Sequence, residues 1–158
     1  MVNDTINLMM QHTSVRNFTD EKISVDILKT IIEAGRAAST WKNFQSYSII
    51  NISSEVTKQK IYDLQPQKSI KGASNFLVFV GDLNRAEKAV KLHTDVFYPE
   101  GIENLLISSV DASLVAQNTL LAAESLGYGG VIVGLIRDQA TELSALLNLP
   151  DYTYPLFG

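Results

Sequence analysis

Three polar clusters and one glycine-rich stretch are of types and spacings that could do chemistry. His12-Thr13-Ser14-Val15-Arg16-Asn17-Phe18 packs an imidazole, two hydroxyls and a guanidinium into a few residues. A guanidinium offers a bidentate donor fork, hydroxyls add neutral donors, and an imidazole adds one of tunable charge. That set suits a loop gripping an anion, most simply a phosphate. A surface turn ahead of a helix uses the same residues. The second cluster is Ser39-Thr40-Trp41-Lys42-Asn43-Phe44-Gln45, and the third is Gln67-Lys68-Ser69 with Lys71. Asn43 and Gln45 could bond a ring edge or cap loop backbone. Trp41 could stack on a ring or cover the core. Gln67 and Lys68, after Pro66, also fit a solvated turn. The glycines are Gly127, Gly129 and Gly130, with Gly134 further on. The first group reads as a helix stop and a tight turn. Gly134 suggests close approach of a ligand or backbone, or simple packing against a long helix.

Several chemistries are excluded. The chain has no cysteine, which removes disulfides, thiolate metal sites and a cysteine nucleophile. His12 and His93 have no partner at ligand spacing, so no zinc site is expected. There is no nucleophile elbow and no Gly-x-x-x-x-Gly-Lys phosphate loop. Gly127–Gly130 follows a helix and precedes a strand, the wrong context for a dinucleotide fingerprint. A net charge of −4 argues against general affinity for nucleic acid.

The elements that must position these groups follow from patterning. At 158 residues, 46% hydrophobic and 19% charged, the chain fits one globular domain. Helices are expected at Thr5–Gln11, from Ser24 onward with Ile27, Leu28, Ile31, Ile32, Gly35 and Ala38 on one face, at Glu55–Leu64, and at Gln139–Leu147. The stretch from Asn84 to Pro99 reads as helical at first. Buried strands are expected at Tyr47–Ile52, Phe76–Val80 and Val131–Leu135, with a fourth starting at Tyr154. Gly101–Leu126 is apolar almost all round and reads as a central helix whose likeliest cover is a second copy of the chain. Asp111, Gln117, Asn118 and Glu124 make it a poor membrane span. With Met1–Thr5 lacking a signal-peptide layout, a cytoplasmic protein is expected. Alternating strands and helices suggest an α/β or α+β three-layer sheet.

The clusters also occur in a specific order. His12-x-Ser14-x-Arg16-x-Phe18 is followed by Arg36-Ala37-Ala38-Ser39 with Asn43-x-Gln45. Ala116-Gln117-Asn118 then leads through Ala122-Ala123-Glu124-Ser125-Leu126-Gly127-Tyr128-Gly129-Gly130 to Gly134 and Arg137. The chain closes on Leu149-Pro150 and Pro155-Leu156-Phe157-Gly158. This order resembles the FMN-dependent nitroreductase / flavin reductase family, in particular its oxygen-insensitive NADPH nitroreductases. The resemblance implies an α+β fold, a central mixed β-sheet flanked by helices, in an intertwined homodimer with the long helix at its centre. It implies that His12, Ser14 and Arg16 hold the phosphate and ribityl end of FMN. Ser39 and Thr40 would line the flavin from the partner chain. Gln67 and Lys68 would meet the polar edge of the ring, and Ile132, Val133, Gly134 and Leu135 would place backbone beside it. No side chain need act as an acid or base, and no metal is implied. NAD(P)H, as NADPH or NADH, would reduce FMN, and a nitroaromatic, quinone or free flavin would take the electrons in a ping-pong scheme.

Family members continue past Pro-Leu-Phe-Gly, into a segment that adds cationic phosphate contacts and an arm around the partner. Residues 1–158 are therefore expected to be a single, C-terminally truncated domain. Arg16 and His12 would then neutralise most of the phosphate charge. The alternatives are a non-catalytic remnant that binds flavin or dimerises, or a purely structural α+β domain.

Overall fold

The computed structural model describes residues 3–158. Met1 and Val2, and so part of the N-terminal stretch read for a signal layout, lie outside the described residues. Ten elements follow one another: α1 (Asp4–Met10), α2 (Val25–Arg36), β1 (Tyr47–Ile52), α3 (Glu55–Leu64), α4 (Lys68–Gly72), β2 (Phe76–Asp82), α5 (Asn84–Val90), α6 (Ile102–Ser125), α7 (Ala140–Leu146) and β3 (Thr153–Phe157). Short 3-10 turns occur at Trp41–Asn43 and Gly134–Gln139. Capping sets several starts. Asn3 Oδ1 accepts the Ile6 N–H at 3.0 Å, and the Ser24 and Ser54 hydroxyls accept those of Ile27 and Thr57, each at 3.3 Å. Gly127, at φ +84°, closes α6: its N–H reaches the Glu124 carbonyl and the Tyr128 N–H reaches that of Ala123. This pairing satisfies carbonyls that the helix end leaves open.

The sheet has the order β1-β2-β3. β1 pairs with β2 from Tyr47↔Gly81 to Ile52↔Phe76, and β2 with β3 from Asp82↔Thr153 to Phe79↔Phe157. Both pairs are antiparallel. The expected mixed sheet is corrected here. Each connection leaves the sheet and returns at the same end, so neighbouring strands run in opposite directions. Val131–Leu135 is a second correction. Val133 exchanges both backbone hydrogen bonds with Gly158, at 2.7 and 3.1 Å, and the chain then coils into the 3-10 turn. One bonded pair is too few to make a strand of these five residues.

Strand alternation divides the core between the two sheet faces. Phe76, Val78 and Val80 pack with Ile61 of α3, Ile70 of α4, Ile136 of the second 3-10 turn and Leu143 of α7. Phe79, with Tyr47, packs instead on Ala112, Val115 and Ala116 of α6. The result is α2 and α6, then sheet, then α3, α4 and α7: the three layers expected. Gly35 is where α2 meets α6, since a Cβ there would fall 2.0 Å from Thr119 Oγ1. Among the described residues, α6 is long and apolar enough to cross a membrane by length and composition, with a mean hydropathy of 1.3. It nevertheless buries Asp111, Ala112, Val115 and Ala116 under the sheet.

Candidate functional site

The N-terminal loop after α1 is seated by one backbone bond, from the Val15 N–H to the Gly130 carbonyl at 2.9 Å. That bond sets the chain around Arg16 beside the stretch running from Gly130 into Val133. Val133 is in turn fixed by Gly158. Buried Lys58 of α3 donates to the carbonyls of Ala73 and Ser74, at 2.8 and 3.0 Å, and to Glu55 Oε1 at 3.1 Å. This ties the end of α4 to α3 and fixes the segment that carries Gln67 and Ser69.

These three segments converge on a small cleft of about 160 Å³. Arg16, Gln67 and Ser69 supply its side-chain donors and acceptors, and residues 131–135 supply a run of backbone. Of the residues singled out from sequence, Arg16, Gln67, Ile132, Val133, Gly134 and Leu135 are brought together here. Ser69 belonged to the third polar cluster without being placed in the site. Val131 is new. The Arg16 guanidinium is exposed, and its one recorded bond is a long one, Nη1 to the Ser14 carbonyl at 3.4 Å. Among the described residues no carboxylate pairs with it. Its donor fork therefore stays available for an oxyanion.

The other candidate residues lie apart from this cleft. Lys68 is exposed beside Gln67 and does not line it. His12 and Ser14 flank Arg16 on the loop, but His12 has a partner: its Nδ1 lies 2.6 Å from Glu124 Oε1 on α6. A carboxylate thus occupies Nδ1, and Nε2 is the ring atom left to offer. Glu124 Oε2 is buried with no hydrogen-bond partner. Ser39 and Thr40 lie beyond the end of α2, leading into the 3-10 turn, and Thr40 Oγ1 is likewise buried and unpartnered. An orphaned buried acceptor is costly unless something completes it. Gly134 gives a further result. The space beside its Cα is taken by the Arg137 guanidinium, at 3.0 Å from an ideal Cβ, and Arg137 Nη1 donates to the Leu156 carbonyl at 2.6 Å. The glycine therefore accommodates an arginine folded over the turn, rather than packing on α6.

A larger apolar groove of about 580 Å³ shares Ser69 and Val131–Val133 with the cleft and is floored by Phe76, Leu77 and Phe79. Sequence reasoning missed Glu124 and Asp111 as partners of the two polar loops. Their only signal was that each is an acid in an otherwise apolar helix. The cleft's chemistry is that of a binding site: one free guanidinium, a carboxamide, a hydroxyl and exposed backbone. Among the described residues no group of three or more His, Asp and Glu side chains could hold a metal ion.

Comparison with known proteins agrees with this layout. The profile of the Nitroreductase family matches residues 9–157. An NADPH-dependent oxidoreductase of Staphylococcus aureus (strain MRSA252) is 38% identical, covering 100% of this chain and 64% of its own length. The solved structure of Bacillus megaterium NfrA2 superposes with a TM-score of 0.94 at 36% identity, over 98% of this chain and 64% of its own. The NADPH:FMN oxidoreductase from Vibrio harveyi, solved in complex with NAD+, superposes with a TM-score of 0.91 at 36% identity, over 98% of this chain and 66% of its own. This chain thus spans just under two thirds of the length of these relatives. With the profile matched almost end to end and the three-layer fold shared, the chain belongs to the nitroreductase family.

Proposed function

We propose that this chain forms the flavin-binding core of an FMN-dependent NAD(P)H oxidoreductase. The observation that carries the reading is the single cleft in which Arg16, Gln67 and the backbone of residues 132–135 meet, although they come from three distant parts of the chain. The residues present fit an FMN-like group. The free guanidinium of Arg16 suits a phosphate dianion, with Ser14 and the His12 Nε2 beside it. Gln67, with Lys68 at its rim, presents donors suited to the polar edge of a ring. The peptide groups of Ile132, Val133, Gly134 and Leu135 suit close stacking along it. Bound FMN would supply the two-electron chemistry, so the side chains need only bind, orient and neutralise. Donors at the electron-rich edge of a ring favour its reduced form.

Ser39 and Thr40 do not line the cleft of their own chain, and Ser39 is exposed, which leaves it open to a second copy. The apolar stripe Ile102, Leu105, Leu106, Val110 and Leu114 on the outer face of α6 is exposed in the single chain. A run of this kind calls for cover, and a second α6 provides it in a homodimer. NADPH or NADH would enter first, and a nitroaromatic, quinone or free flavin would use the same cleft in turn. A cytoplasmic setting, residues 1–158 as one domain, and independence of nucleic acid and membrane complete the proposal.

The direct test is to add FMN to the purified chain, desalt it and record the visible spectrum. A flavin band that travels with the protein and bleaches with NADPH is the expected result. A colourless protein after desalting would remove the flavin reading and leave the fold untouched.

A further inference from the structure

Asp111 is fully buried in the middle of α6. Its carboxylate accepts the Trp41 N–H on Oδ1 at 2.9 Å and the Ser46 N–H on Oδ2 at 3.0 Å. Those two donors bracket residues 41–46, the second half of the connection from α2 to β1. No Lys, Arg or His pairs with Asp111 among the described residues. A buried charge without a cation is tolerated only where hydrogen bonds replace its hydration. A leucine here would carry no charge to bury but would leave both N–H groups without acceptors. What the carboxylate adds is geometry: two oxygens held by one rigid helix fix two points of a loop.

The loop between those points needs fixing. Lys42, Asn43 and Gln45 have φ of 47°, 55° and 56°, left-handed values that side chains disfavour. Such conformations persist only where the surroundings enforce them. A second tie comes from Arg85, which donates to the Gln45 carbonyl. Outward, the loop presents Trp41 and Phe44 edge to face at 6.1 Å, both exposed, with the Lys42 ammonium 4.7 Å from the Trp41 ring centre. Inward, two buried polar atoms are left without a partner: Thr40 Oγ1, next to the clamped Trp41, and Oγ of the clamped Ser46 itself.

We infer that Asp111 is a positioning residue: its carboxylate clamps the Trp41–Ser46 loop at both ends and so holds Ser39 and Thr40 in the geometry by which they serve the flavin site. The second half of this statement rests on the flavin reading. The first half does not. An amide cannot replace the carboxylate, because both partners are N–H donors and one of them would then face an NH₂.

Trp41 is the only tryptophan of the chain, so intrinsic emission reports on this loop directly. In flavin-free protein, Asp111→Asn is expected to raise acrylamide quenching of Trp41 about twofold, and to weaken FMN retention about tenfold, the scale of one lost charge-assisted bond. Arg85→Met removes the second tie but leaves the clamp in place, and should raise quenching by less than Asp111→Asn does. Unchanged quenching in Asp111→Asn, or equal release in Arg85→Met, overturns the clamp. Wild-type-like FMN retention in an Asp111→Asn chain whose Trp41 is released overturns the link to the site. If the wild-type chain itself retains no FMN, the flavin reading and that link fall together, and the quenching comparison still decides the clamp. Amide hydrogen exchange on the wild-type chain decides it without any variant. The Trp41 and Ser46 amides should exchange far more slowly than that of Lys42, and equal rates overturn the clamp.

Discussion

Both polar loops of this molecule are tied to α6 by an acid, and the two ties differ in kind. Asp111 takes two backbone N–H groups of the Trp41–Ser46 loop in a fully buried setting. Glu124 takes one side chain, that of His12, near the surface. The first acid determines where a backbone goes. The second orients an imidazole on a loop whose backbone is set elsewhere, by the Val15–Gly130 bond. The loop with the rigid backbone buries the Thr40 and Ser46 hydroxyls, and the loop with the light tether leaves Arg16 free. Rigidity and available donors are thus divided between two loops of one family fold.

Breaking the ties should expose that division. Asp111→Ala leaves two buried N–H groups without acceptors and is expected to lower unfolding stability by about 3–5 kcal/mol, measured by urea titration. A loss below about 1 kcal/mol would mean that water or a rearranged loop satisfies them. Val110→Glu, in the exposed stripe of α6, separates the loops by another route. It should halve the mass seen by light scattering and remove whatever Ser39 and Thr40 contribute from the second copy. The Arg16 loop of the same chain would stay intact. A variant that keeps the wild-type mass would place the dimer contact elsewhere. Glu124→Ala should cost about 1–2 kcal/mol, since its partner His12 is partly solvated and Val15 still seats the loop. A loss as large as that of Asp111→Ala would erase the contrast between the two ties.

The smallest effect concerns the tie under Gln67. The hydrogen bond and charge of Lys58 hold the Glu55 carboxyl below its ordinary value of 4.5. A depressed carboxylate pKa contributes stability above the unfolded-state pKa and loses it as pH falls through the folded-state value. NMR titration should place Glu55 below 4.5 in the wild type and return it toward 4.5 in Lys58→Met. Coincident midpoints in the two proteins would contradict the pairing.

Much of this was legible in the sequence because it is local or periodic. The β-rich composition of Tyr47–Ile52 and the apolar run from Phe76 declared strands that the structure keeps. Ser24, with the apolar face from Ile27 to Gly35, declared α2. Val131–Leu135 misled because a β-branched run reads as a strand, whereas strand formation needs a partner, and only Val133 finds one, in Gly158. Arg16, Gln67 and residues 132–135 could be named as a site through the family resemblance, and their convergence in one cleft needed the fold. Asp111 was visible only as an interruption of an apolar helix, and Glu124 only as that and as one residue of the ordered motif, with no partner indicated for either. Their partners lie 65 to 112 positions away in sequence, and no pattern of spacing encodes such pairs.

The central claim is that the cleft around Arg16 holds the phosphate of a flavin. It is tested most directly by titrating FMN into the wild-type chain, Arg16→Ala and Lys88→Ala, and following the quenching of flavin fluorescence. Lys88 lies exposed on α5 and serves as a control for simple loss of charge. Removing a charge-assisted phosphate contact should raise Kd roughly ten- to a hundredfold in Arg16→Ala and leave Lys88→Ala at the wild-type value. Equal affinity in all three proteins would contradict the account.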